Sequence, residues 1–384
     1  MPKLAEKSIC TGCTACKAVC PYSCIEMVAD ENGFVFPQIN TANCIECGQC
    51  RQVCPVLKDS IAAETPSAYA AMSKDEKMRL DSSSGGIFTE LAKEIISQGG
   101  VVYGAAYDNK FNVQHCCVEK IEDLQKLRGA KYAQSDLADT FSEIVHRLGQ
   151  GQKVLFSGTP CQVGGLKALA GENENLFCID FVCHSVPSPM AWQAYIQHRA
   201  ETDAEGIFPV DVNLRSKETG WSKYRYSNVF KYENGVTHSA TSSQSLFMKL
   251  FVGDYISRES CANCKFKGYS RVSDITLGDF WGIWDIASDM DDDNGTSVIL
   301  VHSAKGRELW QGISERIVCK KVSLEEASLH NPSMLVSSKA NPKREEAFNL
   351  IKAGNIEDCA KFFATPKSSV TDKIKNKIKR ILKM

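Results

Sequence analysis

The sequence predicts a small α+β module at the N-terminus, followed by a larger α/β domain with a mixed sheet. Two observations lead to this prediction. Cysteines recur in two copies of one pattern within residues 1–58. From about residue 66 onward, short apolar stretches typical of strands alternate with amphipathic stretches typical of helices. We therefore expect an N-terminal domain over 1–58 and an α/β domain in two parts, over 66–150 and 151–335.

The N-terminal cysteines predict iron–sulfur clusters. Each copy of the pattern reads C-x₂-C-x₂-C-x₃-C-P, the spacing of bacterial two-cluster ferredoxins, in which the fourth cysteine of each run binds the other cluster. A zinc site needs four ligands and gives no reason for a third cysteine and a proline in each run. The expected ligands are Cys10, Cys13, Cys16 and Cys54 for one [4Fe-4S] cluster, and Cys44, Cys47, Cys50 and Cys20 for the other.

The remaining elements follow in order along the chain. A hairpin is expected over 25–39, with its turn at Glu31-Asn32-Gly33, and an amphipathic helix over 87–97 that ends at Gly99-Gly100. The expected strands are 101–107, 113–119, 153–157, 176–182, 296–302 and 317–322. Further helices are expected over 140–148 and 190–200, after 161 and near 305, with a second hairpin over 224–239.

Composition restricts the class of protein. The net charge of −1 argues against a nucleic-acid-binding protein, and we expect none as a partner. No apolar run approaches the roughly 18 residues that a membrane span requires, and no secretory signal is apparent. Eighteen cysteines without such a signal indicate metal and redox use in a reducing cytoplasm rather than disulfides.

Four later cysteines form a second candidate site. Cys161 and Cys183 follow two predicted strands, and Cys261 and Cys264 form a CxxC pair. Four soft ligands from three loops suit a third cluster. The residues alone leave other interpretations open: the pair could be half of a zinc site or a redox dithiol, and the first two could be buried thiols.

Three further features could serve a cofactor. The segment 82–86 offers backbone amides at a helix N-terminus, which suits a phosphate, although such a turn is commonly only a helix cap. Phe280 and Trp281 could stack on a planar ring or pack in the core. Lys131 and His184 are candidate proton donors near such a ring, and a capping or phosphate-contacting role is the alternative for both. The acidic loop 289–295 lacks the glycine and glutamate of a calcium-binding loop, and we interpret it as a surface turn.

Six short motifs occur in a set order. They are Ser84-Gly85-Gly86, Gly129-Ala130-Lys131-Tyr132, Gly158-Thr159-Pro160-Cys161-Gln162, Cys183-His184-Ser185-Val186-Pro187-Ser188, Cys261-x-x-Cys264 and Leu277-Gly278-Asp279-Phe280-Trp281-Gly282. This order resembles the family of coenzyme F420 hydrogenase/dehydrogenase beta subunits, from the cysteine-rich module to about residue 335. One departure is Ser185, where the family commonly has glycine.

The resemblance implies a flavin-binding α/β domain with its own [4Fe-4S] cluster. Carried over by motif, Ser84, Gly85, Gly86 and Lys131 would contact FAD, and Cys161, Cys183, Cys261 and Cys264 would hold the third cluster. The expected function is an iron–sulfur flavoprotein oxidoreductase that exchanges electrons between a small molecule at the flavin and a redox partner protein at the ferredoxin module. Coenzyme F420 is one candidate substrate, and a ferredoxin or a hydrogenase or dehydrogenase subunit is the candidate partner. The alternatives are a non-catalytic electron-transfer subunit and a ferredoxin-dependent reductase of a small or lipid-linked metabolite.

The C-terminal segment 365–384 differs from the rest of the chain. It is rich in lysine and arginine and places Ile374, Ile378, Ile381 and Leu382 at helical spacing. This is the pattern of a basic amphipathic helix, which can lie on an anionic membrane surface or dock on the protein body. The expected location is therefore the cytoplasm, with peripheral membrane contact as a further possibility.

Overall fold

The computed structural model describes residues 2–58 and 64–363. The strands are β1 (Ile25–Ala29), β2 (Val35–Ile39), β3 (Ser67–Ser73), β4 (Val101–Tyr107), β5 (Val113–Val118), β6 (Val154–Ser157), β7 (Leu176–Phe181), β8 (Pro209–Ser216), β9 (Ser227–Tyr232), β10 (Thr237–Thr241), β11 (Ile275–Asp279), β12 (Ser297–Val301) and β13 (Ile317–Val322). The helices are α1 (Ala15–Ala18), α2 (Gln49–Gln52), α3 (Glu76–Leu80), α4 (Ile87–Ser97), α5 (Thr140–Gly149), α6 (Pro160–Ala170), α7 (Pro189–Ala204), α8 (Leu246–Val252), α9 (Ile283–Ile286), α10 (Ala304–Gly312), α11 (Leu324–Ser328) and α12 (Arg344–Lys352).

A mixed sheet of eight strands forms the centre of the molecule, in the order β13-β3-β12-β11-β7-β6-β4-β5. The four strands β11, β7, β6 and β4 run parallel, and all pairings outside these four are antiparallel. The carboxyl ends of the parallel strands therefore share one edge of the sheet, where α/β folds commonly bind ligands. The predicted α/β architecture with a mixed sheet is confirmed.

Helices cover both faces of this sheet because its strands alternate apolar side chains between them. On β4, Val102 faces a cluster with α4 and α10, whereas Val101 and Tyr103 face a cluster with α5 and α6. The helix α4 has the predicted bounds, because its apolar residues recur at helical spacing and Gly99, with φ of 77°, follows its end.

The N-terminal module packs directly on the α/β domain. Cys13, Ala15 and Val53 belong to the apolar cluster that contains α5 and α6. A Cβ atom at Gly165 of α6 would lie 2.8 Å from the Cys13 Sγ, so only glycine lets the helix approach this closely. The sulfur positions of the module are therefore set partly by the larger domain. Residues 59–63 of the predicted connection lie outside the described residues.

A three-stranded antiparallel sheet, in the order β10-β9-β8, packs with α7, α8 and α12 on a separate apolar cluster. The hairpin of β9 and β10 was predicted, but β3, β8 and β11 were not. The strand β3 lies in the interior of the large sheet with small side chains on both faces, so its sequence shows no clear alternation.

The acidic loop 289–295 joins two elements through its carboxylates. The Asp293 carboxylate accepts hydrogen bonds from the backbone N–H groups of Trp221 and Ser222, and Asp292 forms a bidentate ion pair with Arg79. These carboxylate oxygens already accept hydrogen bonds from groups of the protein itself. No described helix is long and apolar enough to cross a membrane, and the predicted basic segment 365–384 lies outside the described residues.

Candidate functional site

Three cysteines of the first run lie beside the last cysteine of the second run. Burial raises the pKa of the Cys13 thiol to about 12, with smaller contributions from the nearby thiols of Cys10 and Cys54. Burial likewise raises the pKa of Cys16, and the same three thiols add to that shift. Four close thiols cannot all ionise in a buried position without a cation, which is the environment that a metal cluster requires.

The remaining cysteine of the first run lies with the second run. Cys20 lines a small cavity together with Cys44, Cys47 and Cys50. A fifth cysteine, Cys24, also lines it, and its Sγ is 3.2 Å from that of Cys20. Cys47 is exposed, whereas Cys10 and Cys13 of the other group are buried. This grouping is compatible with crossed ligation, which stays a prediction, and the group of Cys47 lies nearer the solvent.

The four later cysteines line one further small cavity. Burial raises the pKa of the Cys261 thiol to about 12, and the neighbouring thiols of Cys161 and Cys264 contribute to the rise. Burial also raises the pKa of Cys183 well above its ordinary value, with Cys261 as the next cause. The capping box of Thr159 and Gln162 begins α6 and fixes the position of Cys161. Three separate segments of the chain therefore bring four thiols to one place, with Cys161 in the first turn of α6.

Two of the three cysteine groups line small cavities. Within residues 2–58 and 64–363, no three His, Cys, Asp or Glu side chains form a site for one metal ion. A [4Fe-4S] cubane has a different requirement, since each thiolate binds a separate iron atom. Its ligands must therefore stand around a cavity, as the second group and the later cysteines do.

A large cavity of about 660 Å³ opens at the carboxyl edge of the parallel strands. This volume lies within the range of about 300 to 1,000 Å³ that is usual for cofactor and small-molecule sites. Its wall includes Gly104 of β4, Ser157 of β6, Ile179 of β7 and Leu277 of β11. The parallel strands thus provide its floor.

The large cavity and the later cysteines share part of their walls. Thr11, Cys161 and Cys183 line both the large cavity and the small cysteine-lined one. Cys161 also lies close enough to Cys13 to raise its pKa, although burial is the main cause of that rise. The later cysteines are therefore neighbours of both the large cavity and the Cys13 group.

Three family models match the chain. The model for the coenzyme F420 hydrogenase/dehydrogenase beta subunit matches with its N-terminal part over 68–141 and its C-terminal part over 151–327, which together span more than half of the chain. The model for a 4Fe-4S dicluster domain matches 9–57. The chain belongs to the family of coenzyme F420 hydrogenase/dehydrogenase beta subunits. It is an iron–sulfur electron-transfer protein of an oxidoreductase family, which confirms the resemblance that the motifs indicated.

Two curated relatives and one solved structure are similar to this family member. One subunit of the F(420)H(2) dehydrogenase of Methanosarcina mazei is 24% identical over 205 residues, which are 48% of this chain and 58% of that protein. An uncharacterised polyferredoxin-like protein of Methanocaldococcus jannaschii is 36% identical over 65 residues, 15% of this chain and 39% of that one. The chain thus spans less than two thirds of either relative. A chain of the F420-reducing [NiFe] hydrogenase complex from Methanosarcina barkeri matches with 16% identity and a TM-score of 0.47, over 79% of this chain and 93% of that one.

The structure separates the residues that the motifs assign to a flavin. Ser84, Gly86 and Lys131 line the large cavity, whereas Gly85 lies behind its wall. A Cβ atom at Gly85 would lie 2.4 Å from the carbonyl oxygen of Ala71 in β3, so this glycine is needed for packing. Flavin contact through Gly85 stays a prediction, and its packing against β3 is the role that the structure shows.

The aromatic residues at the end of β11 also have different positions. Trp281 lines the large cavity and stacks on Trp221 at a centroid distance of 4.8 Å. Phe280 is fully buried in an apolar cluster. Of the two side chains considered for stacking on a planar ring, only Trp281 is placed to do so.

The two candidate proton donors are both in the cavity wall. Burial lowers the pKa of the Lys131 ammonium to about 7, and its Nζ donates to the carbonyl oxygens of Arg128 and Gly129 at 2.7 and 3.2 Å. The His184 Nε2 lies 3.0 Å from an Asp254 oxygen, and its Nδ1 is 3.3 Å from the Ser333 hydroxyl. The buried His184 Nε2 makes no hydrogen bond among the described residues despite its distance to Asp254, while protonated Lys131 carries a charge that a bound anion would stabilise.

Two buried polar residues in the cavity wall were not predicted. The His115 Nε2 donates to the carbonyl oxygen of Ser157 at 3.0 Å, which leaves Nδ1 as an acceptor without a partner among the described residues. Arg215 forms a bidentate ion pair with Asp279, but its Nε has no partner in the described part of the chain. The alternation of buried and exposed residues along β5 could have indicated that His115 is buried. No such signal was available for Arg215, because its strand β8 was not predicted.

Proposed function

We propose that the chain is an iron–sulfur flavoprotein oxidoreductase. It passes electrons between a small-molecule hydride carrier at the large cavity and a redox protein that docks at the ferredoxin module. The observation that carries this proposal is the continuity of the sites, since Thr11, Cys161 and Cys183 belong to the walls of both cavities and Cys161 neighbours Cys13. A separate ligand site and a separate ferredoxin would not need such a shared wall.

The cavity fits a flavin in volume, position and polar groups. When bound there, FAD would supply the exchange between a two-electron hydride and single electrons. Ser84 and Gly86, at the N-terminal end of α4, offer backbone amides to an anionic phosphate. The Nδ1 of His115, which has no partner among the described residues, is an acceptor for an N–H or O–H group of the cofactor.

The cysteines would hold three [4Fe-4S] clusters. The first would bind Cys10, Cys13, Cys16 and Cys54, the second Cys20, Cys44, Cys47 and Cys50, and the third Cys161, Cys183, Cys261 and Cys264. The second lies nearest the solvent, because Cys47 is exposed and Tyr22 and Ile45 beside it are 55% and 58% exposed. This apolar surface is where we expect the redox partner protein to dock.

The first substrate to test comes from the name of a relative. The relative in Methanosarcina mazei is named for F(420)H(2), so reduced coenzyme F420 is the first hydride donor to offer. The same name describes one part of a complex, which favours a second candidate function: an electron-transfer subunit without turnover of its own. Reduction of the clusters by the isolated chain with reduced F420 would distinguish the two, because a non-catalytic subunit would not be reduced.

The decisive experiment is anaerobic purification with iron, sulfide and flavin measured in the same sample. We expect about twelve iron atoms and one flavin per chain, since each cubane holds four irons. About eight irons would remove the third cluster from the proposal. A protein with its clusters but no flavin, even after incubation with FAD, would contradict the oxidoreductase function.

The charge of Lys131 predicts a pH dependence of flavin binding. Its pKa of about 7 in the free protein would rise beside an anionic cofactor, so protonated Lys131 favours binding. Flavin affinity is therefore highest below pH 7 and falls as the pH rises above it, up to the pKa of the complex. K131M should bind about tenfold more weakly at pH 6, a loss near 1.4 kcal/mol, and should differ little from the wild type at about pH 9.5.

The measurement is the dissociation constant of FAD by fluorescence quenching across this pH range, with the clusters kept in place. K126M is a matched control, because Lys126 is an exposed lysine paired with Asp123 outside the cavity wall. An affinity of the wild type that does not change with pH, or a K131M curve that runs parallel to the wild-type curve, would show that Lys131 does not contact the anion.

A further inference from the structure

Arg258 is a buried arginine between the ferredoxin module and the later cysteines. It precedes Cys261 by one turn, and only 2% of its surface is exposed. The N–H group of Cys261 donates to the Arg258 carbonyl oxygen at 3.1 Å, so the backbone ties the arginine to a cysteine of the third group. Arg258 lines the small cavity of the later cysteines, and its guanidinium also reaches the ferredoxin module.

The guanidinium forms three hydrogen bonds, all to neutral oxygens. Its Nε donates to the carbonyl oxygen of Cys10 at 2.8 Å, Nη2 to that of Val35 at 3.0 Å, and Nη1 to the Gln134 side chain at 2.8 Å. It also lies 4.2 Å from the centroid of the Phe36 ring. The hydrogen bond to Cys10 places the positive charge beside the first cysteine group.

No carboxylate of the described residues forms an ion pair with Arg258. The other buried arginines of the site region have one: Arg215 pairs with Asp279, and Arg271 pairs with Asp180. A buried charge without a counter-charge is strongly unfavourable. Arg258 also lines the small cavity of the four later cysteines. Cysteine side chains become anionic thiolates when they bind a cluster, so they can supply the missing counter-charge.

The backbone of the first cysteine run is shaped to admit this side chain. Gly12, between Cys10 and Cys13, has φ of 67°, and a Cβ atom there would lie 2.6 Å from the Gln134 Nε2 and 3.1 Å from the Arg258 Nη1. Only glycine satisfies both the backbone conformation and the close approach. The cysteine loop and the arginine therefore fit together as one packed unit.

We propose that Arg258 is the shared counter-ion of the first and third clusters and a positioning residue for electron transfer between them. This inference rests on the proposed function, because it requires a cluster at both cysteine groups. A fixed positive charge favours the more negative, reduced state of a nearby cluster and so raises its reduction potential. Because one guanidinium lies beside both groups, it raises both potentials together, which keeps electron transfer between the two clusters close to balanced.

Lys267 provides a matched comparison. Its Nζ donates to the carbonyl oxygens of Cys183 and Ser333, and it lines the third cysteine cavity. It is thus a cation beside the third group, while Arg258 is beside the first and third. The charge-removing variants R258Q and K267Q should therefore shift different sets of potentials.

The experiment is an anaerobic redox titration followed by EPR, on full-length wild type, R258Q, R258K and K267Q. Signals are assigned with variants that lack one cysteine of each group. In R258Q we expect the first and the third cluster each to be harder to reduce. At a given potential, the ratio of reduced to oxidised cluster should fall at least tenfold, which corresponds to a reduction potential lower by about 59 mV for a one-electron couple. K267Q should lower the reduction potential of the third cluster only. The potential of the second cluster should change in neither variant.

R258K separates charge from hydrogen-bond geometry. Lysine keeps the charge but loses the fork of three donors, so the potentials of the first and third clusters should stay near those of the wild type. Unchanged potentials in R258Q, an equal shift of the second cluster, or a tenfold shift of both near clusters in R258K would each overturn the proposal. If R258Q does not retain its iron, the R258K result alone decides. Absence of a third cluster in the wild type would instead contradict the proposed function.

Discussion

Replacement of Cys261 by alanine is expected to lower the iron content from about twelve to about eight atoms per chain and to disconnect the large cavity from the ferredoxin module. Cys261 is one of four thiols around a small cavity whose wall is shared with the large one. A cubane that loses one of its four protein ligands in a buried site loses much of its binding energy. The two clusters of the ferredoxin module have no ligand in common with it and should remain.

Two measurements check this expectation. Iron and sulfide analysis gives the number of clusters, and rapid mixing with a hydride donor gives the rate at which the ferredoxin clusters become reduced. In C261A we expect the flavin to be reduced while the ferredoxin clusters stay oxidised. C319A is the control, because Cys319 is exposed on β13, outside all three cysteine groups. Reduction of the ferredoxin clusters at the wild-type rate in C261A would show that electrons do not pass through the third site.

The sequence predicted best those features that depend on short, fixed spacings. The cysteine runs identify the iron–sulfur module because the distances between ligands are set by the turn that carries them. The helix α4 was predicted with its observed bounds, since its apolar residues recur at helical spacing and glycines lie at both of its ends. The order of motifs identified the family, which the matches over 68–141 and 151–327 confirm.

The features that were missed depend on the folded arrangement. Arg258 belongs to no motif, and its importance arises only because the chain brings Cys10, Val35 and Gln134 around it. Gly85 lies within a motif but behind the cavity wall, which the spacing of its neighbours does not reveal. Positions of this kind are set by contacts between distant segments, and a sequence pattern does not contain them.

Replacement of Cys54 and of Cys20 by alanine should have opposite effects on electron flow from the large cavity. With crossed ligation, Cys54 belongs to the first cluster, and its thiol lies near those of Cys10 and Cys13. This cluster neighbours the third, because Cys161 lies near Cys13. C54A should therefore block reduction of the ferredoxin module by a hydride donor. C20A should remove only the solvent-near second cluster, so that the first is still reduced at the wild-type rate.

Each variant should contain about eight iron atoms, so iron content alone does not distinguish crossed from sequential ligation. The kinetics do. If Cys20 instead completed the set of Cys10, Cys13 and Cys16, then C20A would block reduction and C54A would leave it intact. C24A is the matched control, because the Cys24 Sγ lies 3.2 Å from that of Cys20 in the same cavity, yet Cys24 is outside both runs. It should keep all of its iron and its rate, because the crossed pattern assigns Cys24 to neither cluster.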